Sequence, residues 1–128
     1  RYPPDSMLAA VRASGALEHV VWDPVARIEV SRIPPLDPYR MRFPSLIGRD
    51  PAFLSRFRRM LTQNNWAFTY AVDYDGRRES LEGIDRTIYA SAYQATWVPS
   101  PRVLVVGVGG GFDVLTGLRR GRCRCRMR

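Results

Sequence analysis

The stretch that most restricts the fold of this chain is VLVVGVGGGFDVLTGL, residues 103–118. Residues 103–106 are apolar without alternation, which predicts a parallel strand that is buried on both faces. Residues 107–111 then have the spacing G-x-G-x-G, in which glycine permits a positive φ angle and lets a ligand approach the backbone. An amphipathic helix should follow. The residues expected to dock this helix on the sheet are Val114, Leu115 and Leu118. Strand, glycine turn and helix in succession predict a nucleotide or nucleoside site; a tight turn without a ligand is the alternative.

The glycine spacing separates two classes of nucleotide site. A dinucleotide-binding turn needs G-x-G-x-x-G. Here the third glycine position is occupied by Phe112 when counted from Gly107, and by Val114 when counted from Gly109. The spacing G-x-G-x-G is instead typical of sheets that bind S-adenosylmethionine. The helix that follows would point its free N-terminal N–H groups at the ligand.

Upstream of this unit the sequence predicts a mixture of helices, strands and loops. Residues 5–14 favour a short helix that Asp5 or Ser6 caps. Residues 25–31 alternate apolar and polar side chains, as a half-buried strand does. The proline-rich residues 33–44 are expected to form an irregular loop, because proline removes a backbone donor and fixes φ.

Two longer helices and a hairpin are predicted next. The apolar spacing of residues 51–63 favours a helix capped by Asp50, and the spacing of residues 85–97 favours another. Between them, an aromatic and β-branched run over residues 66–74 meets Asp-Gly, the signal of a type I′ turn. Residues 77–81 should return as the second arm of that hairpin.

Charge is concentrated at the C-terminal end. All 20 basic residues are Arg, and six of them lie in residues 119–128, whereas the last of the 12 acids is Asp113. Residues 1–118 therefore carry a net charge of only +2, which argues against specific nucleic-acid binding by this part. The tail alternates Arg with Cys, Met and Gly and has no apolar face. We expect residues 119–128 to be disordered, or to be an out-of-frame reading of the gene.

Composition excludes further classes of protein. Cys123 and Cys125 lie far in sequence from the single histidine, His19. We therefore expect no metal site, because such a site needs more ligands at suitable spacing. A disulfide between two cysteines so close in sequence would be strained. No apolar run approaches the roughly 18 residues that span a bilayer. This segment is therefore expected to be outside the membrane, and a cytoplasmic location is the interpretation that follows.

The resulting fold class is α/β. Residues 1–98 form an α+β N-terminal region with a β-hairpin, and residues 99–118 supply the first strand, glycine turn and helix of a truncated Rossmann-like methyltransferase sheet. A single βα unit cannot complete such a sheet, because the neighbours of its strand are missing. We expect the chain to be a fragment that ends just after this motif.

PSPRVLVVGVGGGFDVLTGL, residues 99–118, resembles the first cofactor motif of the spermidine synthase-like family of polyamine aminopropyltransferases. These proteins have the class I S-adenosylmethionine-dependent transferase fold. WDPVARIEVSRI is similar to the strand that opens the family's N-terminal β-region, YAVDYDGRRES to the hairpin after it, and GIDRTIYASAYQATWVPSP to the helix before the first Rossmann strand. The resemblance implies S-adenosylmethionine or its decarboxylated form as cofactor. It also implies transfer of an aminopropyl or methyl group to an amine or another small nucleophile.

The resemblance also implies site residues. The residues that would lie against the methionine and ribose portion of the cofactor are Gly107, Val108, Gly109, Gly110 and Gly111. Asp113 lies near a position where many family members have an acid, displaced by Phe112; an acid favoured at a helix N-terminus is the alternative. Asp85 and Tyr89 lie near the family's Asp-Glu…Tyr-His-Glu stretch, but this chain lacks its His and second Glu. Tyr89 on an apolar helix is interpreted as a core residue.

The rest of a transferase site is missing from the sequence. The family has an acid after its second Rossmann strand that holds the ribose, and a later Asp-rich loop that serves the amine. No acid follows Asp113 here. We therefore assign no catalytic residue and expect weak cofactor binding or none. The alternative function is a non-catalytic structural domain related to this family that forms a homo-oligomer.

Overall fold

A computed structural model of the chain describes residues 7–34, 47–64, 66–99, 101–121 and 124–127. It mixes helices and strands and contains a four-stranded antiparallel sheet and a separate pair of parallel strands, so these residues have an α+β fold. The helices and strands in chain order are α1 (Met7–Ala13), β1 (Leu17–Trp22), β2 (Arg27–Arg32), α2 (Pro51–Leu54), β3 (Phe57–Gln63), β4 (Ala67–Val72), three 3₁₀ helices (Arg78–Leu81, Ile84–Arg86 and Ile88–Ala90), α3 (Ser91–Ala95), β5 (Arg102–Val105), α4 (Phe112–Arg120) and β6 (Arg124–Met127).

The antiparallel sheet has the strand order β1-β2-β3-β4, so sequential strands are neighbours. β2 confirms the strand predicted over residues 25–31, whereas β1 was not predicted. Two hairpin ends meet at one end of the sheet, where the backbone N–H of Arg27 donates to Oδ1 of Asn64 at 2.8 Å. Asn64 takes the positive φ of 50° that the β3–β4 turn requires. A side-chain amide therefore joins the β1–β2 hairpin to the β3–β4 hairpin.

The first predicted helix is confirmed as α1, and Arg12 in its last turn contacts β2. Its predicted caps, Asp5 and Ser6, lie outside the described residues, as does most of the predicted loop over 33–44. Arg12 of α1 bonds the carboxylate of Glu29 on β2 at 2.7 Å, and Arg27 bonds the same carboxylate oxygen. Glu29 is only 1% exposed, so two guanidinium groups compensate a buried charge, as burial of a carboxylate requires. None of the described helices is long and apolar enough to cross a membrane.

The helix predicted over residues 51–63 is wrong beyond its first turn. Asp50 does cap α2, since its Oδ1 accepts hydrogen bonds from the backbone N–H groups of Ala52 and Phe53 at 3.0 and 3.4 Å. From Phe57 onward the chain forms β3, which hydrogen-bonds with β2 on one side and β4 on the other. Pairing along both edges of a central strand outweighs the helical spacing, because tertiary context overrides local propensity.

The hairpin predicted over residues 66–81 is wrong, although the strand predicted as its first arm is confirmed. β4 is its first arm, but the partner of β4 is β3, and residues 77–81 contain a 3₁₀ helix in place of the returning strand. A type I′ turn needs positive φ at both central residues. Gly76 has a φ of 89°, and Asp75 is not among the residues with positive φ. Asp75 instead accepts a hydrogen bond from the N–H of Arg77 at 2.9 Å, which turns the chain away from β4.

The helix predicted over residues 85–97 breaks into two 3₁₀ helices and α3. Thr87 and Ser91 each donate their hydroxyl to the carbonyl three residues earlier, at 2.7 and 2.6 Å. Such local bonds compete with the helical ladder. Asp85 does not cap this region; the N-cap is Gly83, with a φ of 96°. The sequence prediction missed this because the apolar spacing is compatible with both kinds of helix.

One hydrophobic core joins the N-terminal elements to α4. Its buried members are Ile47, Phe53, Leu54, Phe57, Leu81, Ile84 and Phe112. The ring centroid of Phe57 lies 5.3 Å from that of Phe53 and 5.6 Å from that of Phe112. The domain boundary predicted after residue 98 therefore lies between segments whose side chains pack in one core.

Helix α4 docks through a different face from the one predicted. Its buried residues are Phe112, Thr116 and Gly117. Leu115 does pack against the core and Val114 is half-buried, whereas Leu118 is 40% exposed. The reason is that α4 contacts the 3₁₀ helices and the core aromatic rings. The prediction assumed that a sheet face would receive this helix.

Candidate functional site

β5, α4 and β6 frame the predicted ligand site. β5 pairs with β6 in parallel, with Val103 opposite Cys125 and Val105 opposite Met127. This pairing confirms the parallel strand predicted over residues 103–106. The expectation that no strand follows α4, and that the tail lacks a fold, differs from the structure, because residues 124–127 form β6. Parallel strands joined through a helix make a βαβ unit.

Burial of β5 on both faces is wrong. Val105 is 6% exposed, whereas Leu104 is 64% exposed and Val106, which follows the strand, is 84% exposed. One face of the strand is therefore covered and the opposite face is open. The sheet that contains β5 has two strands in the described part of the chain, so the neighbours that would cover the second face are not among these residues.

The glycine turn has the backbone that its spacing predicts. The φ angles at Gly107, Gly109 and Gly111 are 73°, 52° and 84°. L-residues rarely adopt such angles, so glycine is strongly favoured at these positions. The N–H of Gly111 donates to the carbonyl of Val108 at 2.8 Å, which closes the turn, and the first bond of α4 runs from the N–H of Leu115 to Gly111 at 2.9 Å. No side chain caps the helix, so its earlier N–H groups point out from the N-terminus.

Gly110 faces β4 and cannot carry a side chain. A Cβ on Gly110 would lie 1.9 Å from the carbonyl oxygen of Tyr70 and 2.8 Å from Oγ1 of Thr69. At Gly107 and Gly111, by contrast, a Cβ would meet no atom of the described residues within 4 Å. The turn therefore has a packed side, formed by Gly110 on β4, and an open side, formed by Gly107 and Gly111. Of these two sides, the open side has room for a ligand next to the backbone.

Asp113 lines a different cavity from the one that contacts the glycine turn. Asp113 lies in the first turn of α4, where its backbone carbonyl accepts a hydrogen bond from the hydroxyl of Tyr93 at 2.7 Å. It lines a cavity of about 370 Å³ that also contacts residues 103–106 but none of the five residues 107–111. A smaller cavity of about 200 Å³ contacts Gly109 and the outer face of the antiparallel sheet. Asp113 and Gly109 thus border two different cavities.

Asp85 forms ion pairs with two arginines of the same chain. Its carboxylate bonds Nε of Arg120 at 3.2 Å and lies 3.6 Å from Nε of Arg119. Both arginines are in the last turn of α4. A cationic amine could bind Asp85 only by displacing them. The sequence prediction missed these partners, because the arginines belonged to the segment interpreted as a tail.

Tyr89 is part of the core, as predicted. Its ring stacks on that of Phe112, with the centroids 4.6 Å apart and the planes 15° from parallel. Burial raises the pKa of Tyr89, and the negative charge of Asp113 raises it further. Among the described residues, no group of three or more His, Cys, Asp or Glu side chains could hold a metal ion. Because the charge of Asp113 contributes to the raised pKa of Tyr89, the titration of this phenol reports on the placement of Asp113.

We expect Tyr89 to lose its proton above its ordinary pKa of 10.0. The unfolded chain then releases this proton first, so the stabilisation from neutral Tyr89 is present below pH 10.0 and is lost as the pH rises through the raised pKa. Phenolate absorbance should show a late-titrating phenol that Tyr89→Phe removes and that Asp113→Asn shifts to lower pH. Tyr70, whose pKa is raised by burial alone, is the internal control. An unchanged titration in Asp113→Asn would contradict the assigned contact.

Comparison of the chain with known protein families, with curated proteins and with solved structures gave no match. We therefore infer the function from the glycine turn and its surroundings.

Proposed function

We propose that residues 107–111 bind the methionine and ribose portion of S-adenosylmethionine or its decarboxylated form, within a Rossmann-like unit of a spermidine synthase-like transferase. The observation that carries this proposal is the open side of the turn, where Gly107 and Gly111 leave free space between a parallel strand and a helix N-terminus. Free N–H groups at that terminus favour the carboxylate of a methionine moiety. A cytoplasmic location is part of the same proposal.

The chemistry proposed is transfer of an aminopropyl or methyl group to an amine or another small nucleophile. The sulfonium of the cofactor supplies an activated leaving group, so the protein mainly positions the reactants. An amine nucleophile would also need a carboxylate to accept its proton. Asp85 is paired with two arginines, and Asp113 borders a cavity that excludes the glycines. These contacts support a chain that holds one side of the donor without a catalytic group of its own.

Because the chain would contact only one side of the cofactor, we expect binding to be weak and to affect only residues near the glycine turn. We expect S-adenosylmethionine to bind with a Kd of about 1 mM, equivalent to roughly 4 kcal/mol. In amide NMR spectra of the full chain, shifts should be confined to residues 107–115, and NAD should produce none there. Gly111→Ala should weaken this response, because its methyl group enters the open side. Val25→Ala, at a side chain that is 83% exposed, is the matched control.

Two results would contradict the proposal. Equal shifts with NAD, or shifts outside the turn and the start of α4, would remove the assignment of the cofactor. Micromolar affinity in a calorimetric titration would instead contradict the one-sided site, because it would require contacts that these residues do not make.

The alternative, a structural domain that forms a homo-oligomer, is favoured by one observation. Trp22 and Trp66 are 75% and 92% exposed. They flank the contact between Arg27 and Asn64, so they lie at the same end of the antiparallel sheet. Exposed aromatic side chains that group together often mark protein interfaces. Sedimentation velocity with and without S-adenosylmethionine separates the two functions, because only the alternative requires a dimer in the absence of cofactor.

A further inference from the structure

In the part of the chain that the structure describes, one edge of β5 has no partner strand, and a cavity lies beside it. The cavity of about 370 Å³ is lined by Val103, Leu104, Val105 and Val106, together with Ala92, Tyr93, Thr96, Pro101 and Asp113. Successive residues of a strand point to opposite faces. A cavity that contacts four in succession must therefore lie along the edge of the strand. β6 pairs with β5, so this groove follows the other edge.

The groove has the properties of an unfilled strand position. Parallel strands are normally covered on both faces, and a sheet of two strands is marginal without further strands or helices. Leu104 and Val106 are nevertheless 64% and 84% exposed. An open edge also presents a row of unpaired backbone N–H and C=O groups, which act as a template for another strand. These features favour an extended backbone as occupant over a compact small molecule.

The negative charge in the groove indicates which side chain an added strand should carry. Asp113 also lines the groove, and its carboxylate has no ion pair within the described part of the chain. The nearby Tyr89 phenol experiences this negative charge. A basic side chain at the end of an added strand would be complementary to Asp113.

We propose that the open edge of β5 binds an extended peptide segment by strand addition. Apolar side chains of the segment would pack on Leu104 and Val106, its backbone would pair with residues 103–106, and a basic residue would approach Asp113. Strand addition obtains affinity from main-chain bonds and specificity from alternate side chains. This inference does not depend on the glycine turn binding a nucleoside.

The test uses the full chain and two synthetic octapeptides in which valine and threonine alternate between terminal arginines. One has an ordinary backbone. The other carries N-methyl groups on alternate amides, so it has the same side chains but cannot pair as a strand. Hydrogen exchange should show protection of residues 102–106 by the first peptide and none by the second. Leu104→Arg should weaken binding of the first peptide at least about tenfold, whereas Val21→Arg, the matched exposed strand position (58% exposed), should not.

The outcomes separate the occupants. Asp113→Asn should weaken the arginine peptide and leave a version with terminal threonine unchanged. Equal protection by the N-methylated peptide, or equal loss in Val21→Arg, overturns strand addition. A chain that dimerises without peptide, with residues 102–106 already protected, overturns the peptide as occupant in favour of a second copy. Failure of the nucleoside proposal leaves these readouts unaffected, because S-adenosylmethionine is expected to act on residues 107–115.

Discussion

Replacing Phe112 with alanine should lower the free energy of unfolding by about 3–5 kcal/mol, the usual cost of truncating a buried phenylalanine. Phe112 is 2% exposed and contacts aromatic rings from two other parts of the chain, Phe57 and Tyr89. Truncation would leave a cavity between the glycine turn and the N-terminal core. Domains of this size have a total stability of about 5–15 kcal/mol, so the variant should be close to the limit of folding at room temperature.

Urea denaturation followed by far-UV circular dichroism measures this effect. Leu118→Ala is the matched control, because Leu118 lies on the same helix and is 40% exposed; its cost should be well below that of Phe112→Ala. Tyrosine near-UV signals should change in the Phe112 variant, since Tyr89 loses its stacking partner. Equal destabilisation by the two substitutions would contradict docking of α4 in the shared core.

The sequence predicted elements best where the signal was local. The N-cap at Asp50 needs only a polar side chain before Pro51, and the positive φ angles at Gly107 and Gly111 follow from the glycines themselves. The prediction failed where distant pairing decides the structure. Residues 57–63 have helical spacing, yet they form the central strand β3 because β2 and β4 bond both of its edges. No local pattern contains that information.

The candidate site was predicted in the same uneven way. Its turn was identified from glycine spacing, and Tyr89 was correctly interpreted as core. The split between Gly110, which packs on β4, and the open glycines could not be predicted, because it depends on the carbonyl of Tyr70 forty residues earlier in the chain. The ion pairs of Asp85 with Arg119 and Arg120 are likewise contacts between distant segments. The backbone of the turn can therefore be inferred from glycine spacing, whereas its free surface requires the fold.

Gly110→Ala should destabilise the chain by about 1–3 kcal/mol through overpacking. The new Cβ would lie 1.9 Å from the carbonyl oxygen of Tyr70, and backbone cannot move aside as a flexible side chain does. Either the turn lifts from β4 or β4 shifts. Both changes should accelerate amide exchange in residues 67–72, because among the described strands β4 pairs only with β3.

Gly107→Ala separates this packing effect from backbone strain. Gly107 has a φ of 73° but open space around the Cβ position, so an alanine there costs about 1–2 kcal/mol of strain without touching β4. Both variants should lose stability, yet only Gly110→Ala should accelerate exchange in β4. The same exchange pattern in both variants would mean that the turn does not rest on β4. Its packed side would then be as accessible as its open side, and the assignment of ligand contact to Gly107 and Gly111 would have to be abandoned.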